Sequence, residues 1–249
     1  MWERVTISDF YQELVIVPLI VLVIFVNLWG AGLNTKRARE WAKAYSPLLE
    51  EEYAAVGYAG SIGQKDLGKV IAQSRSVPAS LLKEKSKNEY VTYATGRQNV
   101  AWLDVKITLY KRYNPFLLLA EYVLTFLFDM GAPPTERLEA TAYCFDGKEK
   151  ALVPSQNLGP GNKDSTYDGF VWAIVHKDRM KTLREDRYDV SLTSTKDHPT
   201  LPTWVTVMSE SALITEALLT PELIKAVNDA GEDLEALIVT DQPVDAPKK

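Results

Sequence analysis

The feature that constrains this chain most is residues 14–33, LVIVPLIVLVIFVNLWGAGL, an almost unbroken apolar run near the N-terminus. At about 1.5 Å of rise per residue it is long enough to cross a hydrocarbon core of roughly 30 Å as one helix. It is too long and too evenly apolar for a signal-peptide core, and Trp29, Gly30 and Gly32 lead into no small-x-small cleavage pattern. It is therefore expected to be a permanent anchor. Pro18 falls in the first turns, where a lost amide donor costs least. Asn27 either hydrogen-bonds a partner helix or sits among headgroups, and Gly30 and Gly32 would let such a partner approach closely.

Flanking charge gives the orientation, because Lys and Arg near a span stay on the cytoplasmic side. Lys36, Arg37, Arg39 and Lys43 follow the run against Glu40 alone, whereas Arg4 before it is outweighed by Glu3, Asp9 and Glu13. Residues 1–13 are expected on the lumenal or outer side and the bulk of the chain in the cytosol. Tyr11 and Trp29 stand where interfacial aromatics sit. Once the run is set aside, charge and apolar content are ordinary, which argues for one globular domain behind one anchor rather than a bundle of spans. Cys144 is the sole cysteine, so no internal disulfide is available, in keeping with a reducing compartment. No Asn-x-Ser/Thr acceptor occurs. The net charge of −5 conceals a basic cluster beside the membrane, which suits anionic headgroups or nucleic-acid phosphates.

After the span, residues 34–53 read as a helix, with Ala38, Trp41, Ala42 and Tyr45 at helical spacing, and this helix would continue the membrane segment. Ser46-Pro47 predicts a break and restart, since proline disfavours helical geometry in the residue before it. Gly57, Gly60 and Gly63 form a small-residue loop without the Gly-Lys-Ser/Thr of a P-loop or the dinucleotide spacing. Lys83, Lys85 and Lys87 make a second basic spot, read either as a solvated loop or as a phosphate-contacting one. Residues 90–95 and 100–110 read as strands joined by the Gly96-Arg97-Gln98-Asn99 turn, and Leu103, Val105, Ile107 and Leu109 alternate with polar neighbours.

Residues 115–130, PFLLLAEYVLTFLFDM, are too short for a span. Glu121, Thr125 and Asp129 draw one narrow polar stripe on a greasy helix, which predicts a core helix lying on a sheet; an interfacial helix is the other reading, though the Lys/Arg-rich face typical of one is missing. Residues 138–145 follow as an alternating strand with Cys144 as a small buried residue. Residues 151–168, rich in Pro and Gly, read as an exposed loop. Then come a buried strand at 170–175, a charged helix at 178–187, a strand at 201–208, a helix at 211–219, a second helix started by Thr220 as N-cap with Pro221 in its first turn, and a strand at 234–239. Residues 241–249 read as a tail. His176 and His198 stand far apart with no cysteine nearby, so zinc is not expected. Carboxylate pairs such as Asp186 with Asp189, or Glu232 with Asp233, read as solvated surface. No catalytic, cofactor-binding or metal-binding residue is assigned.

In order along the chain, the apolar run is followed by Asn34-Thr35-Lys36, the Ala38 to Trp41 helix, Leu48-Leu49-Glu50, Val56-Gly57, Tyr93, Gly96-Arg97 and the closing Asp241-Gln242-Pro243. This series resembles the calumin family, the coiled-coil-domain subunit of the endoplasmic reticulum PAT complex, and especially its fungal members. The resemblance implies a single-pass reticulum protein without enzymatic activity. It would pair with the small membrane subunit Asterix beside the Sec translocon and the ribosome, in a complex that shields partly polar segments of nascent multipass membrane proteins. A link to calcium storage is also attributed to the family. The acidic lumenal region that the family carries before its span, and the basic coiled coil after its globular domain, have no counterpart in these residues. The chain is thus expected to be the anchor and globular core of a longer protein, without calcium binding or full ribosome affinity.

The expected architecture is α+β: a transmembrane helix at 14–33 and a cytosolic domain at 34–240, built on a largely antiparallel sheet with packed helices. Asn27, Gly30 and Gly32 are the candidate contacts to a membrane partner. Lys36, Arg37, Arg39, Lys43, Lys83, Lys85 and Lys87 are the candidate contacts to ribosome or headgroups. The rival readings are a membrane-anchored enzyme acting on a lipid or nucleotide, and an accessory subunit in calcium handling.

Overall fold

The computed structural model describes residues 11–58, 81–128, 134–145 and 169–245. The chain divides into two compact units, Met1–Phe145 and Asp146–Lys249.

In the first unit the apolar run and the Ala/Lys/Arg-rich stretch after it have no helix-breaking pair between them, and they form one helix. This α1 spans Tyr11–Glu52, 42 residues, roughly 63 Å at the α-helical rise. Residues 13–25 are bare on every side, and this is the one helix among the described residues long and apolar enough to cross a membrane. Further along, Asn34, Ala38, Ala42 and Ser46 recur every fourth residue and are all buried. Such a seam of small side chains lets the helix lie close on a sheet. The expected restart at Ser46-Pro47 does not occur, because α1 runs through Pro47 to Glu52. A proline there removes one backbone bond and crowds the preceding turn. Trp41, Ala42, Ser46 and Leu49 nevertheless close around Leu81 and Thr92, and this packing carries the helix across.

The sheet under α1 consists of β1 Ala55–Val56, β2 Lys83–Ser86, β3 Glu89–Thr95, β4 Val100–Thr108 and β5 Arg137–Cys144. Its order is β1-β3-β4-β5, with β2 also paired to β3, and every pairing is antiparallel. β3 and β4 form the expected hairpin. Gly96 (φ 92°) and Asn99 (φ 63°) supply the left-handed conformations of its tight connection. Tyr90 faces Ile107 and Thr92 faces Val105 across the pair. Tyr90, Ile107 and Leu109 pack with Ala38 of α1, so the alternation reads correctly.

Two further expectations fail in this unit. Cys144 is exposed rather than buried, because β5 is an edge strand whose residues are open on both sides. The apolar segment taken for a core helix forms α2, Pro115–Phe128, and none of its residues is buried. Apolar composition says that a surface needs covering, not what covers it.

The second unit is organised on β6, Val171–His176, whose continuous apolar run suits a strand covered on both faces. Its first five residues are all buried. β7 Ser194–Lys196, β8 Val205–Ser209 and β9 Ala236–Thr240 complete an antiparallel sheet of order β7-β8-β6-β9. On one face Ala173, Val175 and Met208 meet Met180, Leu183 and Val190, from α3 (Met180–Asp186) and α4 (Tyr188–Ser191). On the other Trp172 and Ile174 meet Ile214, Leu218, Leu223 and Val227, from α5 (Ala212–Leu218) and α6 (Pro221–Ala230). The predicted cap is present, Thr220 accepting from the Leu223 amide, and Ser211 likewise caps α5 by accepting from the Leu213 amide.

Asp189, read as solvated surface, is instead fully buried. Arg187 donates to its two oxygens at 3.1 and 2.7 Å and the Val190 amide donates at 2.9 Å. A carboxylate is tolerated inside a protein when paired and hydrogen-bonded in this way. The start of the expected tail is tied down, since the Gly169 amide donates to Asp241 at 2.7 Å and the Tyr188 amide to the Val244 carbonyl at 2.8 Å. The loop expected at 151–168, together with Gly60 and Gly63, lies outside the described residues. Both units are α+β with antiparallel sheets, in agreement with the sequence reading.

Candidate membrane-junction site

Where α1 emerges from its apolar run, the connection between β4 and α2 crosses it, and a polar cluster forms at the crossing. Asn34 is its centre. It is fully buried, and its amide nitrogen donates to the carbonyls of Lys87 (3.0 Å) and Tyr110 (2.9 Å). Its oxygen accepts from Arg112 at 3.0 Å. One side chain thus joins α1 to the β2–β3 turn and to the β4–α2 connection, and a buried amide this well satisfied rigidifies its surroundings. One turn earlier Gly30 is buried because backbone passes directly over it. A Cβ there would lie 2.2 Å from the Arg112 carbonyl oxygen and 2.6 Å from the Tyr113 nitrogen, so only glycine fits.

Asn27, a further turn back, donates to the Tyr113 carbonyl at 3.1 Å and accepts from Lys87 at 2.6 Å. The Lys87 ammonium also lies 5.7 Å from the centre of the Tyr113 ring. Asn27, Gly30 and Lys87 are therefore engaged within the chain. Gly32 is not, since a Cβ on it would meet nothing within 4 Å. Glu136, just before β5, takes Arg112 on one oxygen at 2.6 Å and Arg37 on the other at 2.7 Å. The guanidinium of Arg112 is thereby shared between Asn34 and Glu136.

The remaining basic residues face outward. Lys36, Arg39 and Lys43 are exposed and share one side of α1 at three- and four-residue spacing; Lys36 lies 3.9 Å from Glu40. Lys83 and Lys85 are exposed on β2, with the Lys83 ammonium 5.6 Å from the Tyr58 ring centre. Burial pushes the Tyr90 phenol above its ordinary pKa, and its hydroxyl lies 2.9 Å from that of Thr35. Tyr58 is raised in the same direction by burial and by the nearby Asp104 carboxylate. Such an arrangement suits holding a helix at a fixed depth and offering cations to phosphate; it gathers no acid-base pair.

Sequence reasoning passed over Asn34 as a structural centre, and passed over Arg112 and Glu136 altogether. The four-residue recurrence of Asn34, Ala38, Ala42 and Ser46 was the available signal for the first. Pairing of Arg112 with Glu136 across the intervening helix carries no local signature.

The architecture and this junction define a class: α+β proteins hung from one long apolar helix that continues into their own sheet. Within that class the chain belongs to the family described as PAT complex subunit CCDC47, whose family model matches residues 9–249. It is 29% identical over 248 residues to the UPF0674 endoplasmic reticulum membrane protein C2G5.01 of Schizosaccharomyces pombe, covering 98% of this chain and 58% of that one. It is 24% identical over 255 residues to YNR021W of Saccharomyces cerevisiae, also named a UPF0674 endoplasmic reticulum membrane protein, covering 100% and 59%. With the PAT complex subunit CCDC47 of Danio rerio it shares 18% identity over 247 residues, covering 97% and 42%. The chain thus spans less than two thirds of the length of these relatives.

Proposed function

We propose that this protein is a non-enzymatic scaffold subunit of an endoplasmic reticulum membrane complex of the PAT type, serving the biogenesis of multipass membrane proteins. In this reading residues 1–13 are lumenal, residues 14–33 cross the bilayer, and the two folded units stand in the cytosol. An Asterix-like small membrane subunit, the Sec translocon, the ribosome and nascent multipass chains are its partners. The observation that carries the reading is α1 itself. A family match along nearly the whole chain coincides with a span that passes unbroken into a sheet, locked at its exit by Asn34 and Gly30, and a rigid coupling of membrane to cytosol is what a scaffold needs. The exposed face of Lys36, Arg39 and Lys43 is the surface for ribosomal phosphate or anionic headgroups. Lys83 and Lys85 form a second one. Gly32 is the small residue open to a helix of the membrane subunit.

The test is affinity capture of the tagged protein from reticulum membranes in mild detergent, beside the triple variant Lys36→Glu, Arg39→Glu, Lys43→Glu. Arg37 is left intact because it holds Glu136. The expected result is that both forms bring down the small membrane subunit while the variant loses ribosomes. Recovery of neither a small membrane subunit nor ribosomes by the unaltered protein would remove the proposal.

A further inference from the structure

The sequence of α2 is PFLLLAEYVLTFLF, and a helix apolar on nearly every side belongs in a protein core or in lipid. It has no core to lie in. None of its residues is buried, and Phe116, Leu119, Phe126, Leu127 and Phe128 are between 62% and 88% exposed. What cover it has lies on its polar side. Leu118, Glu121 and Thr125, at three- and four-residue spacing, are its least exposed positions, and Glu121 is ion-paired to Lys111 in the connection from β4. Compared with an amphipathic helix of a soluble domain, α2 is turned inside out. With 14 residues, roughly 21 Å long, it cannot cross a bilayer.

Its root fixes its depth. Asn114 starts the helix, its side chain accepting from the Leu117 amide at 3.2 Å. The two residues before it, Arg112 and Tyr113, rest on Gly30 and Asn27 of α1. If residues 14–33 fill the hydrocarbon core, Gly30 and Asn27 lie about 4.5 and 9 Å inside its cytosolic end. That is the depth, roughly 5–10 Å, at which interfacial helices bury their apolar side.

We infer that α2 is embedded in the cytosolic leaflet beside the span, its Phe and Leu side chains among acyl chains and its Glu121–Lys111 side against the protein. Lipid fits better than a protein groove for a reason on the helix itself. A groove reads one stripe of anchors at i, i+3, i+4 and i+7, whereas the exposed apolar residues of α2 wrap around most of its circumference, as a fluid solvent permits. The inference rests on the bilayer span in the reading above and on none of the partners named there.

The experiment uses the full chain reconstituted in phosphatidylcholine vesicles that contain an acyl-chain diazirine lipid, and in parallel native microsomes fed the same lipid. After flotation, illumination and trypsin, lipid adducts are counted by mass on three peptides: 5–36, which holds the span, 113–137, which holds α2 entire, and 188–196 of the second unit as the aqueous control. The expected result is adducts on 113–137 comparable to those on 5–36 and absent from 188–196, in both preparations. A variant with Phe116→Glu and Phe126→Glu, both at exposed positions, loses the 113–137 adducts and keeps those on 5–36. Labelling of 5–36 without 113–137 in the unaltered protein puts α2 in water and overturns the inference. Adducts on 113–137 that appear in vesicles and are lost in microsomes, while those on 5–36 persist, mean that a partner covers the helix, which overturns it equally.

Discussion

Replacing Gly30 with alanine sets two terms against each other. In a helix interior alanine is favoured over glycine by about 0.8–1.0 kcal/mol, so an unobstructed site would gain. Gly30 is obstructed: its new Cβ would stand 2.2 Å from the Arg112 carbonyl oxygen, 2.4 Å from its carbon and 2.6 Å from the Tyr113 nitrogen. Carbon contacts are comfortable at about 3.5–4.0 Å, so the crossing strand must retreat by about 1 Å, and since all three atoms are backbone no rotamer change relieves the clash. Overpacking of this kind costs about 1–3 kcal/mol. The retreat also stretches the Asn27–Tyr113 hydrogen bond, worth about 0.5–1.5 kcal/mol. The net expectation is about 1–3 kcal/mol toward release of the 110–114 connection from α1, a rise in the open population between about fivefold and a hundredfold at 1.4 kcal/mol per decade. Lys111 and Arg112 lie in that connection, so limited trypsin treatment in detergent reads the opening directly when opening and closing are fast relative to cleavage. Gly32→Ala is the matched control, with the same helix, the same propensity gain and no atom within 4 Å; its cleavage should be unchanged or slower. Equal cleavage rates for the two variants would refute the account of the crossing.

Three other outcomes follow from buried polar groups. Asn34→Ala strips a partner from the Lys87 and Tyr110 carbonyls and from Arg112, and should lower stability by about 2–4 kcal/mol in detergent unfolding, whereas Lys36→Ala should stay within about 0.5 kcal/mol. Asp189→Ala leaves Arg187 without its buried carboxylate, with an expected loss of about 3–5 kcal/mol, read from the urea midpoint of tryptophan fluorescence; a shift under 1 kcal/mol, by the same principle, would mean the pair is not desolvated. For Tyr90 the sign follows from burial raising its pKa above the ordinary tyrosine value of 10.0. The unfolded chain ionises first, so the contribution of Tyr90 is complete below about pH 10 and is lost as pH rises through its folded value. The late step in the ultraviolet tyrosine titration, to which Tyr58 also contributes, should lose one tyrosine's amplitude in Tyr90→Phe; an unchanged amplitude would refute the assignment to Tyr90.

What the sequence made legible was whatever local chemistry decides. The long helix is a length of apolar residues, the hairpin a glycine and an asparagine at positions needing positive φ, and the helix after Thr220 announces itself by its cap and the proline that follows. The misreadings share a cause. Pro47 argues for a break by its own ring, and only the packing of Ser46 and Leu49 against Leu81 and Thr92, more than thirty residues away, overrules it. Cys144 alternates like a half-buried strand residue, but alternation is silent about whether a strand lies in the middle of a sheet or at its edge. Asp189 looks like any surface carboxylate until Arg187 folds onto it. At the junction Asn27 and Gly30 were recognised as unusual in an apolar run. Their engagement with Tyr113 and Arg112 depends on a chain crossing that no spacing encodes.

The unbroken passage of α1 through Pro47 has a mechanical consequence. From Asn34 to Glu52 the helix projects roughly 27 Å beyond the apolar run, and the sheet is fastened along this length at Ala38, Ala42 and Ser46. Transmembrane helices adopt tilts anywhere from about 0 to 40°. A change of about 10° in the span, with no hinge to absorb it, swings the far end of α1 sideways by about 5 Å. With residues 14–33 in the bilayer, as proposed, the sheet is a pointer whose needle is that helix, and whatever thins, thickens or crowds the bilayer around it is reported as displacement of the sheet.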